Sequence, residues 1–223
     1  MSKKRRHDSD PAAPRSAPDA LLAAAFDVFS TRGYRAARLE EVADAAGLTK
    51  GAIYYHFEGK EDLLRQAVQR RHRALFEEMR SALDGQDAPA AARVRLALRR
   101  MWDHWQQPAS SRAIRLVLGE VSVQFPALFR LWASEGPVAA TALVRDLIEG
   151  GVAAGEFRTD VDPEVAARTI VSGLMLQATF HHLGMDEVAA GAPDPDRVFA
   201  SAVDVFLHGL FATHGPRAHA AAT

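Results

Sequence analysis

The sequence predicts an all-α chain: three small N-terminal helices, a long fourth helix and a larger helical body. Three observations carry this. Apolar residues recur at the three- and four-residue spacing of helix faces almost throughout, and no segment shows strand-like alternation worth crediting. Glycine, proline and aspartate interrupt that pattern at intervals suited to helix ends. The stretch LEEVADAAGLTKGAIYYHFEGK, Leu39 to Lys60, reads as two short helices joined by a tight turn.

Residues 1–15 (MSKKRRHDSDPAAPR) are charged, Pro-containing and aperiodic, so they are expected to form a disordered basic arm. Its KKRR run is either a phosphate or minor-groove contact or a solvated tail. The first helix is expected from about Ser16 or Asp19 to Gly33, with Leu22, Ala25, Phe26 and Phe29 as its apolar stripe. Leu39, Val42, Ala43 and Ala46 then mark one face of a second helix, which Gly47 ends by taking a left-handed backbone. Thr49 is placed to cap a third helix, on which Ile53 and Phe57 continue the buried face. Lys50, Gly51, Ala52, Tyr54, Tyr55 and His56 are left for its outer side. A Gly-containing turn between two helices, the second with hydrogen-bonding side chains outside, describes a DNA-binding helix-turn-helix. The alternatives for single residues are that Tyr54 is partly core and that His56 packs against the first helix.

Glu58 to Asp62 is a break and restart. A long helix follows to about Leu83, with Leu64, Val68, Leu75, Phe76, Met79 and Leu83 on one face and Arg65, Arg70, Arg71 and Arg73 on the other. Domain boundaries are therefore expected after residue 15, after residue 62 and after residue 213, with 63–83 as the linking helix and 214–223 as a flexible tail. In the body, helical stripes occur at Val94, Leu98, Met101, Trp102 and Trp105 and from Ile114 to Val121. A helix starts near Pro126 or Ala127, Gly136-Pro137 is expected as a bend or boundary, and Val138 to Val152 continues. Asp162-Pro163 opens a helix to about Leu183, and after a loop at 184–195 a last helix runs to Phe211.

Composition bounds the function classes. The chain has 223 residues, 48% hydrophobic and 25% charged, with no cysteine, so neither a disulfide framework nor a thiolate metal site is expected. No apolar run reaches membrane-spanning length and the basic N-terminus lacks a signal core, which points to the cytoplasm and no membrane partner. The net charge of −1 hides an asymmetry: residues 1–75 hold 14 Lys/Arg against 10 Asp/Glu, and the remainder 13 against 18. A basic end on an acidic remainder suits a protein that offers one end to a polyanion. Adjacent histidines such as His181-His182 face different sides of a helix, and no metalloprotease, phosphate-loop or nucleophile-elbow spacing is present. No enzyme, cofactor or metal is expected.

Leu21 to Leu64 resembles the DNA-binding domain of the tetracycline-repressor (TetR) family of bacterial transcriptional regulators. The matching runs are LLAAAFDVFSTRGY and EEVADAAGLTKGAIYYHFEGKEDLL. The resemblance implies the full arrangement: a helix-turn-helix DNA-binding domain, a linking fourth helix and a C-terminal helical ligand-binding and dimerisation domain. It places Thr49, Lys50, Gly51, Ala52, Tyr54, Tyr55 and His56 on or beside the recognition helix, with Lys60 capping the contact to the DNA backbone. The chemistry agrees. Hydroxyls of Thr49 and Tyr54 and the Lys60 ammonium suit phosphate oxygens, Lys50 suits guanine O6/N7, Ala52 a thymine methyl, and Gly51 close approach. One departure is Arg38, where the family has Ser or Thr opening the second helix. A guanidinium there cannot accept the cap bond, but it suits phosphate.

The resemblance also implies a small-molecule effector, release from DNA on its binding, and a homodimer formed by the last two helices, reading a palindromic double-stranded operator. Candidate pocket residues are Trp102, Trp105, Phe125, Phe129, Trp132 and Phe180, with Gln124, Gln177, His181 and His182 as polar contacts; the alternative is that these aromatics are plain core. Gly173, Ala178 and Ala202 would permit close helix approach at the dimer interface. The competing reading is a helical adaptor or activator without small-molecule control.

Overall fold

The computed structural model describes residues 16–84, 87–183 and 193–211; the expected basic arm, most of the loop after Leu183 and the expected tail lie outside these. The described residues form eleven helices: α1 (Ala17–Arg32), α2 (Leu39–Ala45), α3 (Lys50–His56), α4 (Lys60–Leu83), α5 (Ala90–Trp105), α6 (Pro108–Leu116), α7 (Ser122–Gln124), α8 (Pro126–Ala133), α9 (Ala139–Ala153), α10 (Pro163–His182) and α11 (Pro195–Leu210). Two widened π-helical turns, Val117–Val121 and Ser134–Val138, interrupt the series. No strand occurs among the described residues beyond one isolated antiparallel bridge, Phe157 with Phe211, and no described helix is long and apolar enough to cross a membrane.

The chain divides into two compact units, the first ending at Arg70 and the second beginning at Arg71. The first unit thus continues past the expected boundary at residue 62. The reason is burial: Leu63, Leu64, Ala67 and Val68 of α4 are core residues, and Arg70 Nε reaches Asp19 Oδ1 of α1 at 2.8 Å. α1 begins where Ser16 Oγ accepts from Asp19 N at 3.3 Å, and ends at Gly33 with φ 83°. It buries Leu21, Ala24, Ala25 and Phe29 and leaves Leu22 and Phe26 half-exposed. Periodicity misplaced that stripe because residues 20–26 are apolar on nearly every side, so spacing alone singles out no face.

In the second unit, Pro89 opens α5 and has no side chain to cap it. The carboxylate of Glu156 serves instead, accepting from Ala90 N at 2.7 Å. Gly136-Pro137, expected as a bend or boundary, lies in the π-helical turn Ser134–Val138, with α8 before it and α9 directly after. Proline removes one donor from the helical ladder, and a widened turn absorbs the loss without ending the helix. Asp162 Oδ1 accepts from Val165 N at 3.1 Å, so Asp162-Pro163 opens α10 as expected. Asp194-Pro195 opens α11 the same way, with Oδ1 accepting from Asp196 N at 2.9 Å.

The tightest backbone approach lies at the end of α9. A Cβ on Gly151 would sit 2.3 Å from the Phe157 ring and 2.8 Å from the Ala90 Cβ, and Phe157 itself is fully buried. Gly151→Ala is therefore expected to destabilise the body by about 1–3 kcal/mol, through overpacking that neither neighbour can relieve cheaply. Chemical denaturation checks this, and an unchanged midpoint would show that the Phe157 ring moves aside.

Candidate functional site

The helix-turn-helix is assembled from backbone geometry first. Gly47 adopts φ 67°, which lets its N–H reach Asp44 O at 3.0 Å and the Leu48 N–H reach Ala43 O at 2.9 Å. These bonds close the end of α2 and turn the chain. Thr49 Oγ1 then accepts from Ala52 N at 3.3 Å and caps α3, as its position predicts. Ile53 and Phe57 are buried, so α3 is held by one edge and the opposite side faces out. On that side Tyr54 is 57% and Tyr55 84% exposed, which settles Tyr54 as a surface residue rather than core. Thr49, Lys50 and Gly51 are exposed too, and a Cβ on Gly51 would meet only Thr49 Oγ1, at 3.7 Å. Ala52 and His56 are half-buried; the His56 ring stands edge-on to Tyr55 and Phe57, with centroids 4.8 and 6.3 Å away.

Three cations expected at DNA have specific settings. Arg38 precedes α2 and makes no side-chain cap, since a guanidinium has no acceptor; Glu41 does half of the work instead, its Oε2 accepting from Arg38 N at 2.9 Å. Lys50 Nζ pairs with Glu40 Oε1 at 2.6 Å. The Lys50 bond holds the Glu40 carboxyl below its usual range, and Glu40 in turn holds the Lys50 ammonium above its own. Lys60, expected at a phosphate, turns into the protein. Its Nζ donates to Ala37 O at 2.6 Å and Arg35 O at 3.3 Å and lies 4.7 Å from the centre of the Tyr34 ring. An ammonium with several donors satisfies the carbonyls of the segment after α1, which carries no helix to satisfy them.

In the body, Trp102, Trp105 and Trp132 are buried, Phe125, Phe129 and Phe180 half-buried, and Gln124, Gln177 and His181 exposed. Trp102 also lines an open cleft of about 460 Å³ bounded by Arg99, Gln106, Gln107 and Asp194. Phe129 stacks on Trp132 with centroids 6.0 Å apart. The His182 Nε2–H donates to Trp105 O at 3.0 Å. The polar groups that converge in the body are others, from α4, α5 and α6. Arg71 Nη2 of α4 donates to Ser110 Oγ at 3.0 Å and Gln107 Oε1 at 3.2 Å, and Ser110 Oγ lies 3.3 Å from His104 Nε2. Ser110 is buried; His72 lies against Trp132 (6.4 Å between rings) and Gly136, and its Nδ1 is buried without a hydrogen-bond partner. Burial, and then the neighbouring Arg71 charge, push both His72 and His104 down to about 4, so both rings are neutral near pH 7. The available signal was only that Arg71 and His72 share the α4 face that points inward, and helical spacing reads arginine as solvent-facing.

The chain matches two family models: that of bacterial regulatory proteins, tetR family, over residues 21–67, and that of the C-terminal domain of AefR-like transcriptional repressors over residues 92–209. It is 27% identical over 195 residues to the HTH-type transcriptional repressor KstR2 of Rhodococcus jostii RHA1, covering 87% of this chain and 91% of that one. Its fold is similar to that of the regulator FadR of Bacillus subtilis, solved with stearoyl-CoA (TM-score 0.68, 17% identity, 86% of this chain and 98% of that one). It is also similar to a Saccharomonospora viridis regulator solved with choline (TM-score 0.72, 19% identity, 88% and 98%).

Two outcomes test this geometry. Lys60→Met, which keeps the apolar stem and removes the donors, is expected to destabilise the first unit by about 1.5–3 kcal/mol, the range for hydrogen bonds to a charged group; unchanged denaturation would return Lys60 to a surface role. The His72 and His104 imidazoles, half-buried and largely desolvated, set an acid dependence. Their pKa of about 4 when folded lies below the ordinary imidazole value of about 6.5, so the unfolded chain binds more protons between these limits and stability falls as pH drops from about 6.5 to about 4. Each ring is expected to contribute a loss on the order of 2–3 kcal/mol. Unfolding at pH 7 and pH 4.5 measures it, and His72→Gln is expected to flatten the slope.

Proposed function

The chain belongs to the tetR family of bacterial regulatory proteins, and we propose that it acts as a homodimer that binds a palindromic operator and is released by a small molecule held in its body. It is a DNA-binding transcriptional regulator of the repressor type rather than an enzyme. The observation that carries the reading is α3: a short helix pinned by Ile53 and Phe57, with Lys50, Gly51, Tyr54 and Tyr55 left outside. Lys50 reads base edges, and the exposed Gly51 lets the α3 backbone come close to the groove. Thr49, Tyr54 and Arg38 reach phosphates, which place the helix without specifying sequence. Tyr55 meets base edges or sugar, and half-buried Ala52 and His56 shape the edge of the surface. Lys60 acts from behind, by holding the segment between α1 and α2.

Dimerisation is supported by the faces that α10 and α11 leave uncovered. Val165, Leu176 and Val205 are exposed, and at Gly173 and Gly209 an added Cβ would meet nothing within 4 Å. Apolar side chains beside small residues favour close helix packing against a symmetry mate. Ala178, expected on this face, is fully buried within the protomer and belongs to its own core. Ala202 is half-buried.

The effector site is supported by the neutral imidazoles, the buried Ser110 hydroxyl and the unpartnered His72 Nδ1 beside Trp132, on which Phe129 stacks in turn. Two of the fold's relatives, the Bacillus and Saccharomonospora regulators, were solved with stearoyl-CoA and with choline, which supports ligand response in this architecture. Arg71 and His72 belong to α4, which also supplies core residues to the first unit, so a ligand that engages them acts on the helix shared with the DNA-binding unit.

The test is enrichment of duplexes from a randomised pool by the full chain, with sedimentation of free and bound protein at micromolar concentration. An inverted repeat bound by two copies is expected, and Lys50→Ala is expected to weaken it about tenfold or more, as loss of a base contact does. A monomer in both states, or an enriched sequence without symmetry, would remove the dimeric reading.

A further inference from the structure

The ion pair between Lys50 and Glu40 is not needed to build the helix-turn-helix. Glu40 lies in the first turn of α2, where an acidic residue favours the helix N-terminus, but Glu41 in the same turn already accepts from the Arg38 N–H. What Glu40 does in addition is cross from α2 to the first residue of α3 and hold the Lys50 ammonium at 2.6 Å. The Tyr54 ring stands on the same side, its centroid 5.8 Å from Lys50 Nζ. The flexible Lys50 stem is therefore constrained at its tip by two groups, on neighbouring helices, both at the surface that meets DNA. Lys50 is 48% exposed and Glu40 55%, so the pair is wet and neither member is locked in place by packing.

A lone lysine at the start of a recognition helix is a mobile point charge, and the nearest strong partner on a duplex is a phosphate. That contact adds affinity equally to every sequence. A carboxylate at contact distance removes the incentive: the pair is close to neutral, and moving the lysine to a phosphate would leave Glu40 uncompensated in the negative field of the DNA. The base edges impose no such conflict. Guanine offers O6 and N7 acceptors to the ammonium, and cytosine offers an N4 donor to a carboxylate. Both members stay charged through the physiological range, because each holds the other's ionised form, with Arg38 adding a weaker pull on Glu40.

We propose that Glu40 is a positioning residue for sequence reading: it keeps Lys50 off the phosphates and presents its ammonium to base edges, so it raises selectivity at the expense of non-specific affinity. The inference rests on the base-reading role proposed for Lys50 and names the residue that enforces it.

The experiment compares wild type, Glu40→Gln, Lys50→Ala and the double variant. Each is titrated, over a range of salt, against the duplex enriched by the wild type and against a random-sequence duplex of the same length. Glu40→Gln is expected to bind the random duplex about three- to tenfold more tightly and to steepen its salt slope by roughly 0.9, the signature of one added phosphate contact. Its ratio of specific to random affinity is expected to fall by about tenfold. In the Lys50→Ala background the same substitution is expected to leave the ratio unchanged, because Glu40 acts on selectivity through Lys50, while loss of the lone carboxylate strengthens binding to both duplexes alike. An unchanged ratio for Glu40→Gln, or a change in the ratio that persists without Lys50, would overturn the proposal. A lowered melting temperature with the ratio intact would make Glu40 a stabiliser of α2 and overturn it as well. If Lys50→Ala alone leaves the ratio untouched, the base-reading role of Lys50 fails first, a result separable from failure of Glu40 with Lys50 confirmed.

Discussion

The DNA-facing surface depends on the burial of two side chains, Ile53 and Phe57. α3 has seven residues, fewer than two full turns, and a helix that short has no stability of its own in water. It exists because Thr49 caps it, because Gly47 aims it, and because Ile53 and Phe57 fasten one edge to the first unit's core. With that edge fixed, the helical repeat alone decides which residues face out. The outward set of Lys50, Gly51, Tyr54 and Tyr55 is thus a consequence of the core, and core substitutions act on DNA binding as surely as surface ones.

Electrostatics on this unit are more restrained than a count of charges implies. Arg70 is paired with Asp19, Arg65 with Asp62, Lys50 with Glu40, and Lys60 is committed to backbone carbonyls. Each ion pair cancels in the long-range field, so what a polyanion feels is the surplus of residues 1–75 and not their fourteen cations. Among the described residues, Lys50 and Lys60 already have partners within the protein, so contacts to DNA would compete with those bonds.

The parts of the fold legible in the sequence were those with local causes. The α2–turn–α3 unit, its glycine, its Thr49 cap and the Asp162-Pro163 helix start all follow from residues within a few positions of each other, and all are present. What escaped was decided at longer range. The inward turn of Lys60 depends on carbonyls at residues 35 and 37 that lack helical partners. The polar cluster joins Arg71 and His72 to His104 and Ser110, more than thirty residues on, and no spacing rule connects α4 with α5 and α6. Pro137 reads as punctuation because a proline normally ends a helix; a π-helical turn is the exception, and no local spacing announces it. Among the candidate pocket residues, aromatic type predicted burial well for the tryptophans and poorly for Phe125, Phe129 and Phe180, since a phenylalanine at the edge of a body satisfies the same pattern as one at its centre.

The same cluster explains why the body suits a switch better than a scaffold would. A core built only for stability has no use for a buried imidazole nitrogen without a partner, because desolvating a polar group costs free energy that apolar packing would avoid. One such atom is His72 Nδ1, on α4, against Gly136 in the π-helical turn and against Trp132 in α8; Arg93, Gln106, Arg112 and Arg158 hold the other four among the described residues. A molecule that completes the unmade hydrogen bond would recover that cost only in the arrangement it fits. That is the differential affinity any ligand must have to shift an equilibrium between two states. The unmade bond lies just past Arg70, on the part of α4 that belongs to the second unit, so on the proposed reading the effector acts there.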